Sequence, residues 1–97
     1  MALFLKDGVL AAIADDYEDL DSILRFLNVV AHVNTEAKQV SDMLRELVGE
    51  GLAQSYELQT APPTATSVDF DATRIAKLWF YITPRGKLLV RSRDTNL

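Results

Sequence analysis

The sequence has no cysteine and a single histidine, His32, among its 97 residues. Without cysteine the chain forms no disulfide bond and offers no thiolate to a zinc ion. His32 has no paired nucleophile, and we interpret it as a turn or capping residue, with a metal ligand or a pH switch as the alternatives. Because no catalytic constellation is recognisable, we predict a protein that is not an enzyme and carries no cofactor or metal ion.

Long apolar runs are also missing from the sequence. The apolar residues among the first ten positions, MALFLKDGVL, follow no basic segment and are too few to span a bilayer. The sequence contains no glycine-rich phosphate loop either. We therefore expect a soluble, cytoplasmic protein with no membrane partner.

Apolar residues are nevertheless abundant, at 48% of the chain. This content is sufficient for a packed core and argues against disorder. The length fits one small domain over residues 1–97. A domain this short must bury its apolar residues efficiently or form oligomers.

The net charge of −4 is unevenly distributed along the chain. Residues 1–24 carry six acidic residues and one basic residue, whereas residues 61–97 carry six basic and three acidic residues. The acidic run DDYEDLD (15–21) lacks the glycine and the distant glutamate of a calcium loop, so solvated helix ends and caps are preferred over a cation site. The overall charge opposes polyanion binding, but the basic end leaves contact with phosphate open.

Three N-terminal segments have apolar residues at the three- and four-residue spacing of amphipathic helices. We predict that Asp19 caps the second helix, that Asn34 or Thr35 caps the third, and that Gly49 or Gly51 ends it. The predicted inward-facing residues are Leu3, Leu5, Val9, Leu10 and Ile13 in the first helix, Leu20, Ile23, Leu24, Leu27 and Val30 in the second, and Ala37, Val40, Met43, Leu44, Leu47 and Val48 in the third.

After Gly51 the apolar period changes from 3.6 to 2, which predicts a strand over residues 52–58. Residues 75–82, IAKLWFYI, are rich in aromatic and β-branched types and predict a second strand. Residues 59–73, rich in Thr, Ala and Pro, are predicted to form a loop, so that the two strands make a long hairpin. Thr83 followed by Pro84 predicts the start of a short final helix.

Two segments of the chain are similar to the winged helix-turn-helix superfamily. The first, VSDMLRELVGEGLAQSYEL (40–58), resembles the third helix and first wing strand, and its leucine and glycine pattern is formed by Leu44, Leu47, Gly51 and Leu52. The second, FYITPRGKLLV (80–90), resembles the segment that closes the wing in bacterial MarR-like and PadR-like regulators. This resemblance implies an α+β winged helix-turn-helix fold with a three-helix core, a long β-hairpin wing and a short C-terminal helix.

The resemblance also implies a DNA-binding transcriptional regulator of bacterial type that acts as a homodimer on double-stranded DNA. Its third helix would enter the major groove. The wing carries no basic residue in its tip, APPTATSVDFD, and Glu36, Asp42 and Glu46 lie on or beside the exposed helix face, so an ordinary solvated face is the alternative. The residues expected to contact DNA are Thr35, Lys38, Gln39 and Arg45 from the third helix. Arg74, Lys77 and Arg85 are expected to hold the DNA backbone.

The second predicted strand suggests a different function. Its alternation places Leu78, Phe80 and Ile82 on one face and Lys77, Trp79 and Tyr81 on the other. Because only one face can pack against the helices, Trp79 and Tyr81 are either a protein interface or covered by the loop through Val68 and Phe70. The alternative to DNA binding is therefore a winged helix protein-interaction or assembly module, with Trp79 and Tyr81 at the contact.

Overall fold

The chain has an α+β fold in a computed structural model that describes the backbone of residues 2–95 and the side chains of residues 5–92. A four-stranded antiparallel sheet packs against the helices. In chain order the elements are α1 (Ala2–Ala12), β1 (Glu18–Asp19), α2 (Leu20–Arg25, continued by a π-helical segment Phe26–Val30), α3 (Ala37–Gly49), β2 (Ala53–Thr60), β3 (Pro63–Val68), a 3₁₀-helix (Ala72–Lys77), β4 (Trp79–Ile82) and α4 (Pro84–Thr95).

The helix starts follow from side-chain caps. Asp19 accepts a hydrogen bond from the backbone N–H of Ser22 at 2.9 Å, which confirms it as the cap of α2. The cap of α3 is Glu36, so the prediction of Asn34 or Thr35 is wrong. The reason is that Gln39 folds back and accepts the N–H of Glu36 at 3.0 Å, which fixes the helix start after that residue.

The C-terminal ends of α2 and α3 differ in character. α3 ends at Gly49, and Gly51 takes a φ of +75°, the left-handed conformation that glycine adopts at low cost. The second helix instead widens into a π-helical turn after Arg25. This change rotates Val30 out of the predicted apolar stripe and leaves it 62% exposed, so its prediction as an inward residue is wrong.

The core lies between the helices and one face of the sheet. The buried helical residues match most of the predicted stripes, and β4 contributes the largest buried ring, Phe80. Ala37 is exposed because it is the first residue of α3, so its prediction as an inward residue is wrong, and Leu3 lies outside the described side chains. The buried apolar residues are Val9, Leu10, Ala12, Ile13, Ile23, Leu27, Val40, Leu44, Leu47, Leu52, Ala53, Leu78, Phe80 and Ile82.

The sheet order is β1-β4-β2-β3, and every neighbouring pair is antiparallel. The predicted loop over residues 59–73 is wrong, because β3 lies within it and pairs with β2 from Thr60↔Pro63 to Ser55↔Val68. The predicted strand over 75–82 begins only at Trp79, because residues up to Lys77 form the 3₁₀-helix. The two predicted strands do pair, as β2 with β4, but β3 and the 3₁₀-helix separate them along the chain.

Alternation along β4 divides the sheet into two faces, as predicted. Phe80 and Ile82 are buried against the helices, whereas Trp79 and Tyr81 point away from them. On β2 the residues that face the helices are small ones, Ala53 and Ser55. We call the face that points away from the helices the outer sheet face.

The start of α4 is confirmed at Thr83 and Pro84. The hydroxyl of Thr83 accepts the N–H of Gly86 at 3.1 Å and donates to the carbonyl of Gly51 at 2.6 Å, which joins α4 to the end of α3. Gly86 is buried, and a side chain there would collide with the backbone of Leu52. Glycine at this position therefore allows α4 to approach the strand segment closely.

Candidate functional site

The residues expected to read DNA are used largely for contacts within the domain, beginning with Thr35. Only 8% of Thr35 is exposed, and its hydroxyl donates to Oε1 of Gln39 at 3.0 Å. Its backbone N–H donates to Oδ1 of Asn28 at 3.2 Å, and its carbonyl accepts from Nδ2 of the same residue. Thr35 therefore fastens the connection between α2 and α3 and offers little surface to a ligand.

Gln39 is exposed but is committed to the same connection. Its Oε1 accepts both the hydroxyl of Thr35 and the backbone N–H of Glu36. Recognition of adenine by glutamine needs the amide oxygen and nitrogen together. Base reading by Gln39 would therefore require it to abandon the cap of α3.

The two basic residues of α3 are exposed, and both have a partner. Nζ of Lys38 lies 2.9 Å from a carboxylate oxygen of Asp42, one helical turn away. The guanidinium of Arg45 lies 5.6 Å from the centre of the Phe70 ring, in a cation–π arrangement. Because Glu36 and Glu46 are exposed beside them, the face carries more negative than positive charge.

The basic residues expected to hold the DNA backbone lie on separate elements. Arg74, in the 3₁₀-helix, forms an ion pair with Glu57 of β2 at 2.7 Å. Lys77 is exposed at the end of the same helix, whereas Arg85 lies in the first turn of α4 beside Gly51. The tip of the β2–β3 hairpin contains only uncharged residues, so it provides no attraction for phosphate.

The outer sheet face carries an aromatic cluster formed by Tyr17, Tyr56, Trp79 and Tyr81. Tyr17 lies 5.0 Å from Tyr56 and 5.1 Å from Tyr81, measured between ring centres. Trp79 is the direct cross-strand partner of Tyr56. All four side chains are partly buried. The cluster therefore brings the predicted interface residues Trp79 and Tyr81 together with two tyrosines that were not predicted from the sequence.

The alternative prediction, that the loop through Val68 and Phe70 covers Trp79 and Tyr81, is wrong. Phe70 lies 6.2 Å from the ring of Phe80, which is on the opposite side of the sheet, so the segment after β3 does not shield Trp79 or Tyr81. Tyr17, in the connection between α1 and β1, contacts the outer sheet face instead. The period-2 pattern of β2 places Tyr56, but no sequence signal indicates the position of Tyr17, because it lies in an acidic run typical of a solvated segment.

The strand β1 beside the aromatic cluster is acidic, with Asp19 on the side of the cluster and Glu18 opposite the inward-facing Phe80. Asp19 is the cross-strand partner of Trp79. The pKa of Glu18 is raised above its usual value, first by burial and then by the negative charges of Asp16 and Asp19. A basic side chain also contacts the cluster, since Nζ of Lys87 lies 5.1 Å from the centre of the Tyr81 ring.

The hydroxyl of Tyr56 stays protonated near neutral pH. The pKa of Tyr56 is raised above its usual value by burial, and further by Tyr17 and Tyr81. A depression of about 340 Å³ adjoins these rings, lined by Tyr17, Leu58, Gln59, Pro63, Thr64 and Ala65. The surface therefore combines apolar rings, hydroxyl donors and a shallow recess, and aromatic residues of this kind are enriched at protein interfaces.

His32 and the acidic run DDYEDLD show no metal-binding arrangement. His32 is exposed, with a φ of 55° in the turn that follows the π-helical segment. Among the described residues, no three His, Asp or Glu side chains gather closely enough to hold a metal ion. Within the same residues, every helix is too short or too polar to cross a membrane.

Comparison of the chain with protein families, with curated proteins and with solved structures finds no match.

Proposed function

We propose that this chain is a winged helix domain used as a protein-interaction module, with the outer sheet face as its contact surface. The order of elements supports the winged helix part of the proposal. β1 lies between α1 and α2 and pairs with the last strand, β4, and α3 leads directly into the β2–β3 hairpin. This arrangement is compatible with a three-helix core and a wing.

The distribution of aromatic residues carries the proposal. All three tyrosines and the only tryptophan of the chain lie on the outer sheet face. The phenylalanines whose side chains are described, Phe26, Phe70 and Phe80, pack against the core instead. Tyrosine and tryptophan are enriched at protein interfaces because they combine large apolar area with a polar group and few rotatable bonds.

The charges around the cluster define the chemistry of the partner. Asp19 of β1 lies opposite Trp79, and Asp15 and Asp16 directly precede Tyr17 in the chain. Opposite charges around an apolar centre favour and orient association. The partner is therefore a protein segment with aromatic or aliphatic side chains flanked by lysine or arginine.

A peptide library displayed on phage tests this proposal, because it offers the outer sheet face many different segments at once. Immobilised protein is expected to enrich peptides with an aromatic or large aliphatic residue beside basic residues. A synthetic copy of the enriched peptide should bind the wild type and bind at least about tenfold more weakly when Trp79→Ala and Tyr81→Ala are combined, equivalent to about 1.4 kcal/mol.

Val29→Ala is the matched control for this experiment. Val29 is 65% exposed in the π-helical segment, so the change removes surface apolar area away from the aromatic cluster. The control protein should bind the peptide as the wild type does. Absence of any enriched class, or equal binding to the Trp79 and Tyr81 variant, would contradict the proposal.

A second candidate function is a DNA-binding regulator that acts as a dimer. The observation in its favour is that Lys38 and Arg45 are exposed on α3, the element that would enter the major groove. This function predicts binding to a DNA duplex at about 50 mM salt and a steep loss of affinity as salt rises. The combined change Lys38→Ala and Arg45→Ala should also lower the affinity for DNA. No retention on DNA at that salt concentration would exclude it.

A further inference from the structure

β3 forms one edge of the sheet and is open to a second strand. It is the last strand in the order β1-β4-β2-β3, and the residues from Pro63 to Ser67 are all exposed. Free edges are normally blocked by charged side chains, bulges or a covering segment. β3 contains only uncharged residues, PTATSV, and its one protective feature is Pro63 at its start.

The backbone hydrogen bonds indicate which residues point towards the open edge. The carbonyl of Leu52 accepts from Thr83, and the N–H of Ile82 turns away from β2 to reach Ile13. Leu52 therefore directs its main-chain groups towards β4. Because successive residues of a strand direct these groups to opposite sides, the alternate residues Ser55, Glu57 and Gln59 direct theirs towards β3. The N–H and C=O groups of the alternate residues Ala65 and Ser67 therefore point outwards.

This edge is complementary to a copy of itself. If two β3 strands pair antiparallel with Thr66 opposite Thr66, then Ala65 of each copy lies opposite Ser67 of the other. Each of these residues then exchanges its N–H and C=O hydrogen bonds with its opposite residue. The side chains match as well, because Thr64 lies opposite Val68, small residues lie opposite small residues, and the Thr66 pair is a favourable cross-strand contact.

Charge also favours a second copy as the occupant. The net charge of −4 makes two copies repel each other wherever acidic surfaces meet. Residues 58–68 form an uncharged stretch of eleven residues, so pairing along β3 brings no charges into opposition. Asp69, the first charged residue after it, would lie opposite Pro63 of the other copy.

We propose that β3 is a self-association surface, at which two copies join into one continuous sheet about a two-fold axis between their Thr66 residues. Both outer sheet faces then lie on the same side of the joined sheet. The contact uses the sheet edge and leaves the aromatic cluster free, so it goes beyond the binding function proposed above and does not depend on it.

The state of association tests this surface directly. At about 0.1 mM protein, where micromolar self-association is complete, sedimentation equilibrium should give twice the 10.8 kDa monomer mass. Ala65→Lys places like charges across the axis, and Ser67→Pro removes an outward N–H without removing a bond to β2. Both variants should give the monomer mass, whereas Thr60→Lys, with the same added charge at the hairpin tip, should give the dimer mass.

Amide hydrogen exchange supplies a second readout on the wild type. The amides of Ala65 and Ser67 should exchange slowly at high protein concentration and about tenfold or more faster after dilution to monomer, because their protection comes only from the other copy. A monomeric wild type, a dimer mass unchanged by both edge variants, or protection that is independent of concentration would overturn the proposal. Trp79→Ala with Tyr81→Ala should leave the dimer mass unchanged. The self-association proposal and the partner-binding proposal can therefore be contradicted independently of each other.

Discussion

Tyr17 packs edge-on against Tyr56, with ring centres 5.0 Å apart and an angle of 84° between the ring planes. The same ring lies 5.1 Å from Tyr81, so Tyr17 bridges neighbouring strands β2 and β4 from outside the sheet. The contact ties the acidic segment after α1 to the aromatic cluster. It therefore makes that segment part of the surface that we propose for partner binding.

Replacement of Tyr17 should lower both the free energy of unfolding and the affinity for the proposed partner. Aromatic pairs contribute about 0.5–1.5 kcal/mol each beyond the area that they bury, so Tyr17→Ala should lower the free energy of unfolding by roughly 1–3 kcal/mol. Urea denaturation measures this loss. Tyr17→Phe keeps both ring contacts and should lose less than half as much. Equal losses in the two variants would show that the hydroxyl, and not ring packing, holds Tyr17 in place.

Gln39 distinguishes a capping role from a DNA-reading role. Because its side chain accepts the N–H of Glu36 and the hydroxyl of Thr35, Gln39→Ala should cost about 0.5–2 kcal/mol of unfolding free energy, as the loss of a helix cap does. Lys38→Ala, at the neighbouring exposed position, should change stability by less than about 0.5 kcal/mol. Unchanged stability of the Gln39 variant would contradict the capping role.

Ser55 is a buried polar residue without compensation. It is 0% exposed, and its hydroxyl has no hydrogen-bond partner among the described residues. An unsatisfied buried hydroxyl costs about 1–3 kcal/mol, so Ser55→Ala should raise the free energy of unfolding or leave it unchanged. Ser67→Ala, on the exposed strand β3, is the control and should have little effect. A clear loss of stability in the Ser55 variant alone would reveal a hydrogen bond of that hydroxyl in solution.

Glu18 should make stability depend on pH in an unusual direction. Its pKa is raised above 4.5 in the folded state, chiefly by burial, so the folded protein holds this proton more tightly than the unfolded chain does. Its contribution is therefore favourable below pH 4.5 and is lost as pH rises through the folded pKa. Glu18→Gln removes the ionisation and should stabilise the fold at pH 7 relative to the wild type.

The comparison of urea denaturation at pH 4 and pH 7 measures this effect. The advantage of the Glu18→Gln protein should be largest at pH 7 and should shrink at pH 4. Glu46→Gln, on the exposed face of α3, is the matched control and should show no such trend. An advantage of equal size at both pH values would contradict the assigned cause.

The helices were predictable from the sequence because their amphipathic pattern repeats over many residues, so a single irregular position does not hide it. In α3, burial of Val40, Leu44 and Leu47 follows the spacing of the pattern, and the helix ends at Gly49 as expected, with Gly51 in the left-handed conformation just beyond it. The cap was misplaced because Thr35 is itself a common capping residue. Its hydroxyl bonds to Gln39 instead, a choice that depends on the packing of α2 against α3.

The strands were predictable only where one face is buried. β4 alternates between buried and outer residues, and its faces were assigned correctly. β3 has no buried face apart from Val68, so it carries no alternating signal, and its Pro and Thr residues predict a loop. The two-residue strand β1 is acidic and is held by pairing with β4, which no local pattern indicates.

The candidate site shows the same limit. Trp79 and Tyr81 were identified from alternation within one strand, and the structure adds Tyr56 from β2 by cross-strand pairing. Tyr17 joins them through the course of the chain between α1 and β1, which sequence periodicity does not describe. Residues assigned by resemblance, such as Thr35 and Arg74, are instead engaged within the domain.

The fluorescence of Trp79 tests the central claim most directly, because it is the only tryptophan in the chain and lies on the outer sheet face. Addition of the peptide selected from the displayed library should shift its emission to shorter wavelength and protect it from iodide. The shift should follow the same binding curve as calorimetry. Peptide binding that leaves the emission and the quenching of Trp79 unchanged would place the contact elsewhere and contradict the account.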